Sequence, residues 1–198
     1  VQELCDMWAP SMTVHFENNG YHLVSAQYTG GKFGVGIAYP RNMYDLVDCN
    51  VFNPGLQMSK FTLDGLALND ISRRSSTTNF TTIDINSIVK EFNEGSYRDN
   101  RCVSIKLRMK FNPNVEFWCS TYHMPCKYNK PTIMYSHLAS ISSHLNYICG
   151  TTPLIFMGDL NISPGSESYN LLLDKVIPTK LEKIFKHATN IPYPFRSS

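Results

Sequence analysis

The chain has 198 residues, 42% hydrophobic, 12% aromatic and 17% charged, a composition that supplies one sizeable core and excludes disorder throughout. With 18 Lys plus Arg against 16 Asp plus Glu the net charge is +2, so composition supports no polybasic patch for nucleic acid or membrane. No apolar run approaches the ~20 residues that span a bilayer, and residues 1–5 show neither a basic n-region nor a cleavage site.

Residues 4–19 read as a helix closed by Gly20, and 21–28 as the strand that follows. Thr29-Gly30-Gly31 is a turn, and 34–39 is a small-residue strand stopped by Pro40. Between 45 and 82 the pattern is irregular and rich in Asn, Ser and Thr, which predicts loop with short strands. Residues 83–94 are read as a helix. From 102 to 111 apolar residues alternate, with Val103, Ile105, Leu107, Met109 and Phe111 on one face and Lys106, Arg108 and Lys110 on the other. Asn112-Pro113-Asn114 is the expected turn into a second strand at 115–122, completing a β-hairpin. Met134, Leu138, Ile141, Leu145 and Ile148 recur at helical spacing, so 132–149 is an amphipathic helix ended by Gly150. A buried strand at 154–157 and a short helix at 166–173 follow. Hairpins together with strand-helix-strand units predict an α+β or mixed α/β layered sandwich, one domain over 1–198.

Three apolar, strand-like runs lie against polar residues able to do chemistry. Leu154-Ile155-Phe156-Met157 ends in Gly158-Asp159-Leu160-Asn161, and Val115-Glu116-Phe117-Trp118-Cys119 runs through Ser120-Thr121-Tyr122 to His123. Val1-Gln2-Glu3 reads as the tail of a third strand. Carboxyl ends of neighbouring strands converge on one crevice. A Glu, an Asp, an Asn and a His gathered there suit a hard divalent ion and a phosphate ester. Each residue also has a bland reading: an Asx-turn for Asp159 and Asn161, a backbone-bonded histidine for His123, a helix N-terminal carboxylate for Glu3.

Taken in this chain order, the motifs resemble the endonuclease/exonuclease/phosphatase superfamily with its DNase I-like four-layered sandwich. Val1-Gln2-Glu3 resembles the family's "QE" motif. Gly34-Val35-Gly36-Ile37-Ala38-Tyr39 resembles its small-residue strand, and Asp99-Asn100 the "D-N" pair before a core strand. Thr121-Tyr122-His123-Met124 resembles "N-T-H-L". Gly158-Asp159-Leu160-Asn161, with Pro164, Ser168, Tyr169 and Leu172 after it, resembles the family's "G-D-F-N" signature. The nearest branch is the one holding CCR4-type deadenylases, nocturnin, Angel proteins and 2′-phosphodiesterases.

The resemblance implies Mg²⁺, with Mn²⁺ as substitute, held by Glu3 and Asp159. It also implies catalysis by Asp159, His123 and Asn161 and a phosphodiester substrate, RNA trimmed from its 3′ end. Asn100 and Tyr122 are candidate substrate contacts. The family's opening Asn and closing Ser-Asp-His motifs have no counterpart, so a fragment lacking both ends is expected. A lipid- or inositol-phosphate hydrolase and a non-catalytic binding module on the same fold are the alternatives.

Six cysteines without a Cys-x-x-Cys pair are expected to be reduced thiols, and Cys119, His123 and Cys126 do not match a zinc spacing. A sequon at Asn161 falls inside the catalytic motif, which favours an intracellular, cytoplasmic location. His137 and His144 read as a helix edge, the basic hairpin face as solvated, and Arg73-Arg74 as loop arginines.

Overall fold

The computed structural model describes residues 1–30, 32–60 and 82–174. Arg73-Arg74 lie outside these residues. The chain divides into two compact units.

The first unit comprises Val1–Asn53, Asp99–Pro125 and Tyr147–Asn161. Helix α1 (Ala9–Asn18) begins five residues later than the expected helix over 4–19. The Leu4 N–H is committed to the Gly34 carbonyl at 2.9 Å, and the Cys5 carbonyl accepts from both Trp8 and Ala9. Pro10 then fits the first helical turn, where a missing N–H leaves no bond unmade. Strands β1 (Tyr21–Gln27) and β2 (Gly34–Pro40) pair antiparallel as a two-stranded sheet. The small residues of β2 serve this pairing: a Cβ at Gly34 would lie 2.4 Å from the Ala26 carbonyl oxygen.

The stretch expected as loop with short strands opens with a nine-residue strand, β3 (Tyr44–Phe52), paired antiparallel with β4 (Cys102–Met109). Its side chains are mostly exposed, and an irregularity between Leu46 and Asp48 breaks the alternation. The ladder with β4, not an apolar face, holds it. Strand β5 (Asn112–Tyr122) completes the hairpin, and the turn is Lys110-Phe111, two residues earlier than expected, because Asn112 already pairs with Met109. Strand β6 (Leu154–Met157) lies parallel to β5, giving the order β3-β4-β5-β6. It is not the buried strand its composition predicted. It forms an edge of this sheet, and Ile155 is 51% exposed.

The two sheets enclose a shared core of Val35, Ile37 and Tyr39 from β2, Val103, Ile105 and Leu107 from β4, and Cys119 from β5. Each buried aliphatic side chain here contributes roughly 1.5–3 kcal/mol relative to exposure. All six cysteines are free thiols, and burial pushes the Cys102 thiol up to about 12.

The second unit is helical: α2 (Pro54–Lys60), α3 (Thr82–Ser96), most of α4 (Pro131–Cys149) and α5 (Glu167–Asp174). Met134, Leu138, Ile141 and Leu145 are buried, as their spacing requires. His137 is wholly buried rather than at the helix edge, and its Nε2 lies 3.0 Å from the Gly95 carbonyl.

Candidate active site

The end of β5 and the end of β6 lie side by side because the strands are parallel, with Thr121 opposite Met157. His123 follows the first and Gly158-Asp159 the second. The Met124 N–H donates to the Asp159 carbonyl, and Asn161 Nδ2 donates to the Met124 carbonyl, both at 2.8 Å. These bonds lock the two loops together. Gly158 makes the approach possible. At φ +139° a Cβ there would sit 2.0 Å from the Tyr122 carbonyl oxygen, so no other residue lets β6 leave its partner so closely.

Glu3 reaches the same place along the free edge of β2. Val1 exchanges two bonds with Gly36, of 2.8 and 3.0 Å, yet Leu4 rather than Glu3 bonds Gly34. That count leaves one extra residue, a bulge-like kink with Glu3 at φ +51°. Gln2 Nε2 anchors the segment to Thr121 Oγ1 at 2.6 Å. Glu3 and Asn161 (φ +49°) are the two non-glycine residues with positive φ among those described. Such backbone costs about 1–3 kcal/mol per residue and gathers at functional sites.

These elements bring three predicted side chains together. His123 Nε2 lies 3.9 Å from Glu3 Oε1 and 3.9 Å from Asp159 Oδ2. The imidazole is largely buried while both carboxylates are solvent-exposed, so the cluster opens on its acidic side. Asp159 keeps its Asx-turn as well, since Oδ1 accepts the Asn161 N–H at 3.0 Å. Glu3 is no helix cap, because α1 begins at Ala9.

Among the described residues, Gln2 Oε1 and His123 Nδ1 are buried side-chain atoms with no hydrogen-bond partner, and the buried Tyr28 hydroxyl lies beside the Asn100 amide. Buried polar groups are almost always paired, so two such atoms at the gathered side chains suit a site that takes a polar ligand. Sequence reading missed Tyr28. Burial pushes its phenol up to about 12, the Asn100 amide pulls the other way, and the Glu3 and Asp99 carboxylates add to the rise. Nothing in its sequence neighbourhood distinguishes it from an ordinary strand aromatic.

Two predicted substrate contacts are placed differently. Tyr122 is fully buried, and burial raises its phenol well above the usual range, so no ring face is open to a base. Asn100 Nδ2 donates to the His123 carbonyl at 2.7 Å and so supports the loop from beneath. The basic hairpin face is partly neutralised: Lys106 and Arg108 share the Glu116 carboxylate at 2.6 and 2.7 Å.

The donors present suit a hard cation. Glu3 and Asp159 offer exposed carboxylate oxygens, and Gln2 Oε1 is an acceptor with nothing to accept from. Among the described residues no three His, Cys, Asp or Glu side chains gather into a metal cluster. Mg²⁺ binds through one or two carboxylates and keeps several waters, so this pair fits it.

Sequence comparison finds no matching family model and no matching curated protein. Solved structures do match. ANGEL2, a 2′,3′-cyclic phosphatase in complex with adenosine-2′,3′-vanadate, aligns with TM-score 0.60 and 17% identity over 86% of this chain and 41% of that one. The human Nocturnin catalytic domain with bound sulfate aligns with TM-score 0.61 and 13% identity over 96% and 61%. An endonuclease/exonuclease/phosphatase from Bacteroides vulgatus aligns with TM-score 0.58 and 15% identity over 86% and 54%. The chain thus spans less than two thirds of each of these structures.

The chain has the mixed α/β, DNase I-like fold of endonuclease/exonuclease/phosphatase proteins. The structures it is similar to include Nocturnin and ANGEL2, the branch its motifs resemble.

Proposed function

We propose that this chain carries the centre of a divalent-cation-dependent phosphodiester hydrolase acting on RNA and trimming from the 3′ end. The observation that carries the reading is the placement of His123 Nε2 3.9 Å from both the Glu3 and the Asp159 carboxylates, at the joined ends of two parallel strands. The fold is shared with ANGEL2, a 2′,3′-cyclic phosphatase in complex with adenosine-2′,3′-vanadate. RNA is the corresponding polymer for this chain.

Asp159 orients a water molecule and accepts its proton as the water oxygen bonds to phosphorus in line with the departing sugar oxygen. His123 faces the non-bridging oxygens, and a ring N–H donated to them stabilises the charge that grows there. Asn161, through its N–H on Asp159 Oδ1 and its amide on Met124, keeps the carboxylate aimed. A divalent cation held by Glu3 and Asp159 supplies further neutralisation of phosphoryl charge.

The test is hydrolysis of a 5′-labelled oligoadenylate by the full chain and by any longer form of it. Mg²⁺-dependent loss of 3′ nucleotides, abolished in Asp159→Ala and His123→Ala, is the expected result. Turnover that survives EDTA, or that both variants retain, overturns the reading.

A further inference from the structure

In the helical unit one carboxylate gathers three cations. Glu94 Oε1 lies 3.2 Å from Arg98 Nη2 and 3.9 Å from Lys127 Nζ, and Glu94 Oε2 pairs with Lys130 Nζ. Among the described residues none of the three has another ion-pair partner. Lys90 and Glu91, on the same helix α3, offset each other, and the Glu91 carboxylate accepts the Thr132 N–H at 3.3 Å. The cluster thus keeps a surplus of two positive charges. Elsewhere the balance is closer: Glu116 and Asp45 serve Lys106, Arg108 and Lys110 on the hairpin, and Asp99 serves Arg101. Backbone bonds fix the turns that carry the cations, from the Lys130 N–H to the Lys127 carbonyl at 2.8 Å and from the Arg98 N–H to the Gly95 carbonyl at 3.0 Å. The Lys130 ammonium holds the Glu94 carboxyl below the usual carboxylate range, so the anchor stays ionised. The three cationic side chains are 31 to 35% exposed, and each has more donors than Glu94 engages.

We infer that Arg98, Lys127 and Lys130 form a phosphate-binding patch for the backbone of RNA, with Glu94 holding them in place. The inference rests on the proposed function for the choice of RNA as the polyanion, whereas the charge surplus stands without it. Cations already gathered lose little side-chain freedom on meeting a phosphate. Glu94 occupies one side of each cation, so a lone small anion competes with it. Successive phosphates of a polymer instead reach the solvent-facing donors of more than one cation. A lipid surface fits less well, since recognition of acidic headgroups takes clusters of about four to eight Lys or Arg. Phosphate contacts read no base, so the patch adds affinity for RNA of any sequence.

The test is binding of a fluorescein-labelled oligoadenylate to the full chain in EDTA, followed by anisotropy across a salt series. Each single-strand phosphate contact contributes roughly 0.7 to the slope of log affinity against log salt. Lys127→Gln combined with Lys130→Gln is expected to lower that slope by roughly 1.4 and to weaken binding at low salt about tenfold. An oligouridylate of the same length loses as much, because the contact is to phosphate. Lys127→Arg combined with Lys130→Arg keeps both charges and binds within about twofold of wild type. An unchanged slope in the glutamine pair, or equal weakening in the arginine pair, overturns the inference. So does an oligoadenylate that does not bind at all. Sedimentation with phosphatidylserine-containing vesicles that the glutamine pair loses, while its oligoadenylate slope is unchanged, gives the patch to a membrane and overturns it too. The expected loss of slope in a chain that hydrolyses no oligoadenylate leaves the patch standing and removes the proposed reaction. Hydrolysis with an unchanged slope removes the patch alone.

Discussion

His123 and His137 are the same residue put to opposite uses. His137, in the helical unit, is enclosed on all sides, and its Nε2 meets the Gly95 carbonyl. Burial pushes its imidazole down to about 4, so it stays neutral as a donor. His123, in the sheet unit, is also largely buried, yet Nδ1 meets nothing and Nε2 faces two carboxylates at 3.9 Å. One ring is hydrogen-bonded within the core, while the other is held with Nδ1 unpartnered beside two carboxylates. What separates the two histidines is their set of partners, which neither residue type nor burial reveals.

The sharpest break in that symmetry is expected in turnover. On a phosphodiester substrate His123→Ala and Asp159→Ala each lower kcat by about a thousandfold, about 4 kcal/mol of lost transition-state stabilisation. His137→Gln keeps a donor for Gly95 and leaves kcat within threefold. A comparable loss in His137→Gln, measured by steady-state kinetics on folded protein, erases the distinction.

Parts of this contrast are legible in sequence and parts are not. Asp159 and His123 follow apolar strand runs, and a polar residue just past such a run falls at a strand end. The bounds of strand β3 were not legible because Asp45, Asp48 and Asn50 interrupt its apolar residues and the irregularity at Leu46 shifts its phase. Tyr122 was misplaced because Trp118 to Tyr122 are all buried, so both faces of the strand end are covered and alternation says nothing. The setting of the Tyr28 hydroxyl, beside Asn100 and near the Glu3 and Asp99 carboxylates, depends on distant segments, and no local pattern encodes that.

The next effect is structural and confined to the sheet unit. Gly158→Ala places a methyl group against the Tyr122 carbonyl oxygen at a φ of +139° that alanine rarely adopts. A loss of about 3 kcal/mol is expected from the clash and the strained backbone. Urea denaturation measures it, and kcat falls as well, since Asp159 shifts with the loop. An alanine variant as stable as wild type shows that β6 leaves β5 by another path.

Acid acts on the other histidine. In the unfolded chain His137 titrates near its ordinary 6.5, and in the folded chain near 4, because burial disfavours the cation and Arg98 adds to the effect. Between those values the unfolded state binds more protons, so stability falls as pH drops from 6.5 towards 4 and levels off below. The full loss is up to about 3 kcal/mol. Half-buried His144, also lowered to about 4, steepens the same window. Urea midpoints at pH 7 and 4.5 give the slope, which His137→Gln should flatten. An unchanged slope in that variant assigns the acid lability elsewhere.

The smallest effect decides what Asn100 does. Its Nδ2 donates to the His123 carbonyl at 2.7 Å, and its amide lies beside the buried Tyr28 hydroxyl. Asn100→Ala removes that donor and leaves a carbonyl without it, a loss of about 1 kcal/mol in stability. A residue that touched the substrate would raise KM on removal, since the ground-state complex would lose a contact. A residue that holds the His123 loop from beneath instead lowers kcat a few-fold with KM unchanged, because only the aim of the imidazole suffers. Asn100→Asp separates the two further: it places an acceptor against the carbonyl and should be the less stable variant of the pair. A several-fold rise in KM at constant kcat in Asn100→Ala returns the residue to the substrate side, where sequence alone had put it. An unchanged KM leaves it where the hydrogen bond places it, as part of what keeps His123 unlike His137.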